Sequence, residues 1–93
     1  MATGTATLDF GAFPGKTDAS LAVTGQAAIV AGTLVEAWLR PVATAEHSAD
    51  EHMLEELAVF AADIVAGTGF TIHGRARGKG RIYGNWTIAW AWV

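Results

Sequence analysis

The stretch Phe70-Thr71-Ile72-His73-Gly74-Arg75-Ala76-Arg77-Gly78-Lys79-Gly80-Arg81-Ile82-Tyr83-Gly84-Asn85-Trp86-Thr87-Ile88-Ala89-Trp90-Ala91-Trp92 decides the fold. Phe70, Ile72, Gly74 and Ala76 alternate with Thr71, His73, Arg75 and Arg77. Ile82, Gly84, Trp86, Ile88, Trp90 and Trp92 alternate with Tyr83, Asn85, Thr87, Ala89 and Ala91. A period of two over this length is the signature of strands. Gly78-Lys79-Gly80 reads as a three-residue hairpin loop. Setting Arg77 opposite Arg81 pairs Ala76 with Ile82, Gly74 with Gly84, Ile72 with Trp86, and Phe70 with Ile88. Every apolar residue then lies on one face, and a one-residue slip would destroy that agreement. The second strand carries small apolar residues on its back, so it is predicted to be a central strand.

Outward from this stretch the punctuation stays β-like. Eleven glycines against two prolines cut the chain into brief segments. Residues 5–10 alternate, with Ala6, Leu8 and Phe10 on one face and Thr5, Thr7 and Asp9 on the other. Phe13-Pro14-Gly15-Lys16 reads as a turn. Residues 18–24 alternate again, and 27–30 form a short apolar run between Gly25 and Gly32. Residues 34–42 set Val35, Ala37 and Leu39 against Glu36, Trp38 and Arg40. Residues 48–65 admit two readings. Ser48 and Glu51 have capping-box spacing, and Met53, Leu57, Phe60 and Ile64 have helical spacing. The surrounding β pattern favours a loop followed by a strand. The fold expected is all-β: a small antiparallel β-sandwich or jelly-roll, with a C-terminal β-hairpin and room for one short helix.

At 93 residues the chain reads as one domain, 1–93. Its 52% hydrophobic and 16% charged residues exclude a disordered or polyelectrolyte chain. With no cysteine, neither a disulfide nor a thiolate metal site is available. A net charge of −3 argues against a general nucleic-acid binder. The start lacks the basic and apolar regions of a signal peptide, and no stretch is apolar enough to span a membrane. A cytosolic protein, or one assembled from the cytosol, is the expectation. So small a domain buries only roughly 60–65% of its unfolded surface, which predicts partner subunits covering the rest.

No motif states a chemistry. Gly11-Ala12-Phe13-Pro14-Gly15-Lys16-Thr17 has three residues between its glycines where a phosphate loop needs four, and a strand pattern follows it. His47, Asp50, Glu51 and His52 form the one cluster resembling metal ligands, but it matches no defined motif, and a solvated loop explains it as well. No cofactor is implied. Charge is segregated: Glu46, Asp50, Glu51, Glu55, Glu56 and Asp63 make six of the nine acids, and Arg75, Arg77, Lys79 and Arg81 four of the six bases. Like charges opposite one another, as at Arg77 and Arg81, are destabilising unless exposed or covered by an anionic partner. Trp38 falls on the polar face of its strand, where it either covers a sheet edge or anchors an interface. The interface set read from these patterns is Trp38, Glu51, Glu55, Arg75, Arg77, Lys79 and Arg81, with the acidic segment of one subunit meeting the basic hairpin of the next.

The chain resembles the small all-β structural proteins of tailed bacteriophages. The resemblance lies in Gly4-Thr5-Ala6-Thr7-Leu8-Asp9-Phe10-Gly11, Ser48-Ala49-Asp50-Glu51-His52, Val65-Ala66-Gly67-Thr68-Gly69-Phe70-Thr71-Ile72 and Trp86-Thr87-Ile88-Ala89-Trp90-Ala91-Trp92. It implies a non-enzymatic virion protein that decorates or cements a capsid or tail surface. Its partners would be copies of itself and other virion proteins such as a major capsid protein, without membrane or cofactor. Two further readings stand beside this one. A small ligand-binding or toxin-like accessory domain would use a surface such as that around Trp38. A nucleic-acid binder would use the 75–81 hairpin, and its affinity would fall steeply with salt.

Overall fold

A computed structural model describes residues 2–55, 57–77 and 80–93. Along them run β1 (Ala2–Asp9), β2 (Asp18–Val23), β3 (Val35–Leu39), α1 (Ala49–Leu54), β4 (Leu57–Val65), β5 (Gly69–Ala76) and β6 (Asn85–Trp92). The strands form two three-stranded antiparallel sheets, in the orders β1-β6-β3 and β2-β5-β4. This is a small all-β sandwich with one short helix among the described residues, as the sequence pattern requires.

Each sheet turns its apolar parity inward. Leu8 from β1, Trp86, Ile88 and Trp90 from β6, and Phe70 and Ile72 from β5 are buried, with Phe10, Ile29, Leu57 and Ile82 closing the core. Phe70 and Trp90 meet edge to face at 5.4 Å, an arrangement the ring quadrupoles favour. Two glycines make room for bulk opposite them. A Cβ on Gly4 would sit 2.6 Å from Cε2 of Trp90, its partner across the sheet, and one on Gly74 would collide with Leu8.

The expected C-terminal hairpin is corrected. β5 lies between β2 and β4, while β6 lies between β1 and β3, so the two strands occupy opposite sheets and Arg77 does not face Arg81. The facing of each strand stands, because Phe70 and Ile72 of β5 share one buried core with Trp86, Ile88 and Trp90 of β6, and Phe70 meets Trp90 there. Ahead of β6, Ile82 is drawn into the core beside a bridge to Lys16. Gly78 and Lys79 lie outside the described residues. The hairpin that does form joins β4 to β5, with Gly67 at φ 76° in its turn.

β6 is central, paired on both sides. The loop expected from residue 48 is instead α1, and the strand expected after it is β4. Ser48 Oγ accepts from Glu51 N–H at 3.2 Å, and Glu51 Oε1 accepts from Ser48 N–H at 3.0 Å, so the capping box is complete. Local capping outweighs the β context over one and a half turns.

Candidate functional site

β3 ends at Leu39, which leaves residues 85–87 of β6 with no strand on that flank. Segment 40–52 takes its place, mostly through side chains. Arg40 N–H donates to Thr87 O (2.9 Å), Asn85 N–H to Glu46 Oε1 (2.7 Å), and Thr87 N–H to His52 Nε2 (3.0 Å). Thr44 Oγ1 donates to Asn85 O at 2.8 Å, and Thr87 Oγ1 to Val42 O at 2.8 Å. Backbone groups of a strand must find partners, and here a short helix and its approach supply them.

His47 and His52, each 4% exposed, enclose Trp86. His47 stacks on the indole at 3.8 Å and 18°, and His52 meets it at 4.8 Å. Their nitrogens are committed. His52 Nε2 accepts, so its Nδ1–H donates to Ser48 O (2.8 Å) and the ring is neutral. His47 Nδ1 faces Glu51 Oε2 (2.8 Å) and Nε2 faces Tyr83 O (2.6 Å). That hydrogen bond is the first cause holding the Glu51 carboxyl below its usual range, followed by the Ser48 backbone N–H. The cluster that resembled metal ligands therefore anchors α1 to β6, and among the described residues no group of three or more ligand side chains gathers to hold a metal ion.

A second constellation lies on the outer face of the β2-β5-β4 sheet. The register sets Ser20 and Phe60 on either side of His73, and Asp18 and Ala58 on either side of Arg75. Asp18, Ser20, Phe60, His73 and Arg75 line a shallow cleft of about 390 Å³ with Thr17 and Ala19. His73 Nε2 is 2.7 Å from Asp63 Oδ2, and Asp63 reaches it from a bulge where its φ is +56°. Neither Ser20 nor Arg75 has a side-chain partner among the described residues. A hydroxyl, an imidazole oriented by a carboxylate, a guanidinium and a phenyl ring can together hold a small polar ligand. Sequence reading missed this group because Asp63 and His73 meet only through the β4–β5 register. The one available signal was a lone acid in an otherwise apolar strand.

The residues read as an interface are scattered. Trp38 is 46% exposed on the outer face of β3 and lines a groove with Glu36, Val59 and Phe60. Glu51 serves the helix cap and His47. Glu55 is the C-cap of α1, its N–H donating to Glu51 O. Arg75 borders the outer cleft, Arg77 is exposed beyond the end of β5, and Arg81 Nη1 donates to Gly15 O at 3.1 Å. Lys79 lies outside the described residues. Arg75, Arg77 and Arg81 thus do not form one hairpin tip, and three of the acids, Glu46, Glu51 and Asp63, are engaged within the chain.

Comparison with known proteins finds no matching family model, curated protein or solved structure.

Proposed function

We propose that the chain is a non-enzymatic structural protein that works by self-association, in the setting its sequence resemblance implies, the capsid or tail surface of a virion. The observation that carries the self-association is the bulk of apolar side chain left outside a core this small. Leu54 is 82% exposed, Phe13 78%, Leu34 75%, Met53 63%, Val65 58% and Phe60 53%. Isolated exposed apolar residues are ordinary, but this many on a 93-residue domain argue for covering partners. Sedimentation at micromolar concentration is expected to show a species heavier than 9.7 kDa, with a melting temperature that rises with concentration. A monomer with concentration-independent melting overturns the reading.

The outer cleft favours a second reading, a small ligand-binding accessory domain. Ser20 and Arg75, without side-chain partners among the described residues, and Phe60 as an apolar platform suit a hydroxylated ligand such as a saccharide. Titration with neutral and acidic oligosaccharides, followed by the amide shifts of residues 18–20 and 73–75, tests it. Binding abolished by His73→Ala and Phe60→Ala would place the function there.

A further inference from the structure

The four sheet edges are not treated alike. Natural sandwiches guard open edges with charge, proline, bulges or cover, because a free edge is a template for another strand. On one side of this molecule β3 lies against β4, and both are guarded. β3 is short and carries Glu36, with Arg40 just after it, while β4 is broken by the bulge at Asp63. The flank of β6 beyond β3 is covered by segment 40–52. On the other side β1 lies against β2, and each carries charge only at one end, Asp9 and Asp18. Residues 2–8 and 19–25 contain no charge and no proline, and their pairing runs without a register break.

The hydrogen-bond parity shows which groups are free. Ala76 N–H donates to Thr17 O and Phe10 N–H to Gly84 O. Because antiparallel ladders alternate, Ala19, Leu21 and Val23 bond to β5, while Ala2, Gly4, Ala6 and Leu8 bond to β6. The backbone groups of Ser20 and Ala22 on β2, and of Thr3, Thr5 and Thr7 on β1, therefore point outward. Leu21 gives a second, independent sign. It has core-facing parity and sits opposite the fully buried Ile72, yet it is 36% exposed because nothing covers it beyond the edge.

We infer that the β1/β2 edge is the self-association surface, β2 of one copy pairing antiparallel with β2 of a second. The inference rests on the self-association reading and names its surface. The occupant is a second copy because the edge is self-complementary. Its charge is confined to Asp18 at one end, and an antiparallel two-fold pairing sets the two copies of Asp18 at opposite ends, so an identical strand meets it without repulsion. The same axis pairs each outward N–H with an outward C=O of the other copy's strand. The two three-stranded sheets then join into one of six, and Leu21 gains cover from its counterpart.

Proline tests this cleanly, because at position 22 it removes an N–H that β5 does not use. Ala22→Pro is expected to weaken the oligomer at least tenfold in sedimentation equilibrium while far-ultraviolet circular dichroism stays unchanged. Ser20→Lys places a charge on the same edge without touching the backbone, and is expected to do the same if the proline variant does not fold. Amide exchange at Ser20 and Ala22 in the unaltered protein is expected to slow as concentration rises. An oligomer that survives Ser20→Lys and either Ala22→Pro or unprotected edge amides overturns this surface but leaves self-association standing. Dissociation caused by Trp38→Ala and not by the β2 variants moves the interface to the β3/β4 side. A monomeric unaltered protein overturns both.

Discussion

Replacing His52 by alanine removes one hydrogen bond from a strand segment that has no neighbouring strand on that flank, and a second one at the N-cap of α1. Nε2 accepts from Thr87 N–H at 3.0 Å, and Nδ1 donates to Ser48 O at 2.8 Å. Leaving such a group without its partner costs about 1–3 kcal/mol. The buried ring also packs on Trp86, and losing that contact adds about 1 kcal/mol. The expected destabilisation is therefore about 2–4 kcal/mol, a large share of the roughly 5–15 kcal/mol that holds a small domain together. Urea unfolding followed by tryptophan fluorescence measures it, and amide exchange at Thr87 locates it. His52→Gln keeps a side-chain acceptor of similar reach and is expected to recover about half the loss. A change within about 0.5 kcal/mol for His52→Ala, the level of an ordinary surface substitution, with Thr87 exchange unaltered, would refute the idea that α1 stands in for a missing strand.

Three further outcomes follow from the same contacts. Because the folded Glu51 carboxyl is held below its usual range, mainly by His47, its contribution is present above the unfolded carboxylate range and is lost as pH falls through the folded value. Unfolding curves of Glu51→Gln and the unaltered protein are expected to differ at pH 7 and to converge in acid. Gly4→Ala forces a methyl against the Trp90 ring, and overpacking of this kind costs about 1–3 kcal/mol, seen as a melting temperature lower by roughly 4–8 °C per kcal/mol. Deleting residues 90–93 removes Trp90, which pairs with both Gly4 and Ala37, together with Trp92 and its bond to Gln26 at 2.9 Å. Loss of a core tryptophan costs about 3–5 kcal/mol, so the truncated chain is expected not to fold, and an unchanged melting curve would contradict the central place of β6.

The facing of the strands was legible because alternation needs only a polar side and an apolar side. Their partners were not legible, because two arrangements share one facing. A hairpin puts Ile72 and Trp86 on the same side of one sheet, and a sandwich brings them together from opposite sheets. The apolar pattern is identical in both. The sign against the hairpin was electrostatic: it placed Arg77 opposite Arg81, whereas in the fold β5 and β6 belong to different sheets and Arg81 is tied to Gly15 O instead. Ser48 and Glu51 were legible as a cap for a similar reason. Capping is decided within four residues, whereas strand pairing is decided across half the chain.

The polar groups were harder still. His47 and His52 look like ligands in sequence because imidazoles near carboxylates are what metals take. His52 acts here as a strand surrogate while His47 stacks on Trp86, and nothing local says that β3 will stop at Leu39 and leave Thr87 N–H to be met. His73 and Asp63 stand ten residues apart and meet through a bulge that reverses the backbone sign at Asp63. A like consideration bears on the open edge. The absence of charge in residues 2–8 and 19–25 reads, in sequence, only as ordinary strand composition. It acquires meaning once β3 and β4 are seen to carry guards on the far side. With Glu36 within β3 and the Asp63 bulge within β4 on one side, and carboxylates only at the strand ends Asp9 and Asp18 on the other, a stable monomer would leave the middle of two edges open. Closing that open side against itself removes the asymmetry with the strands the molecule already has.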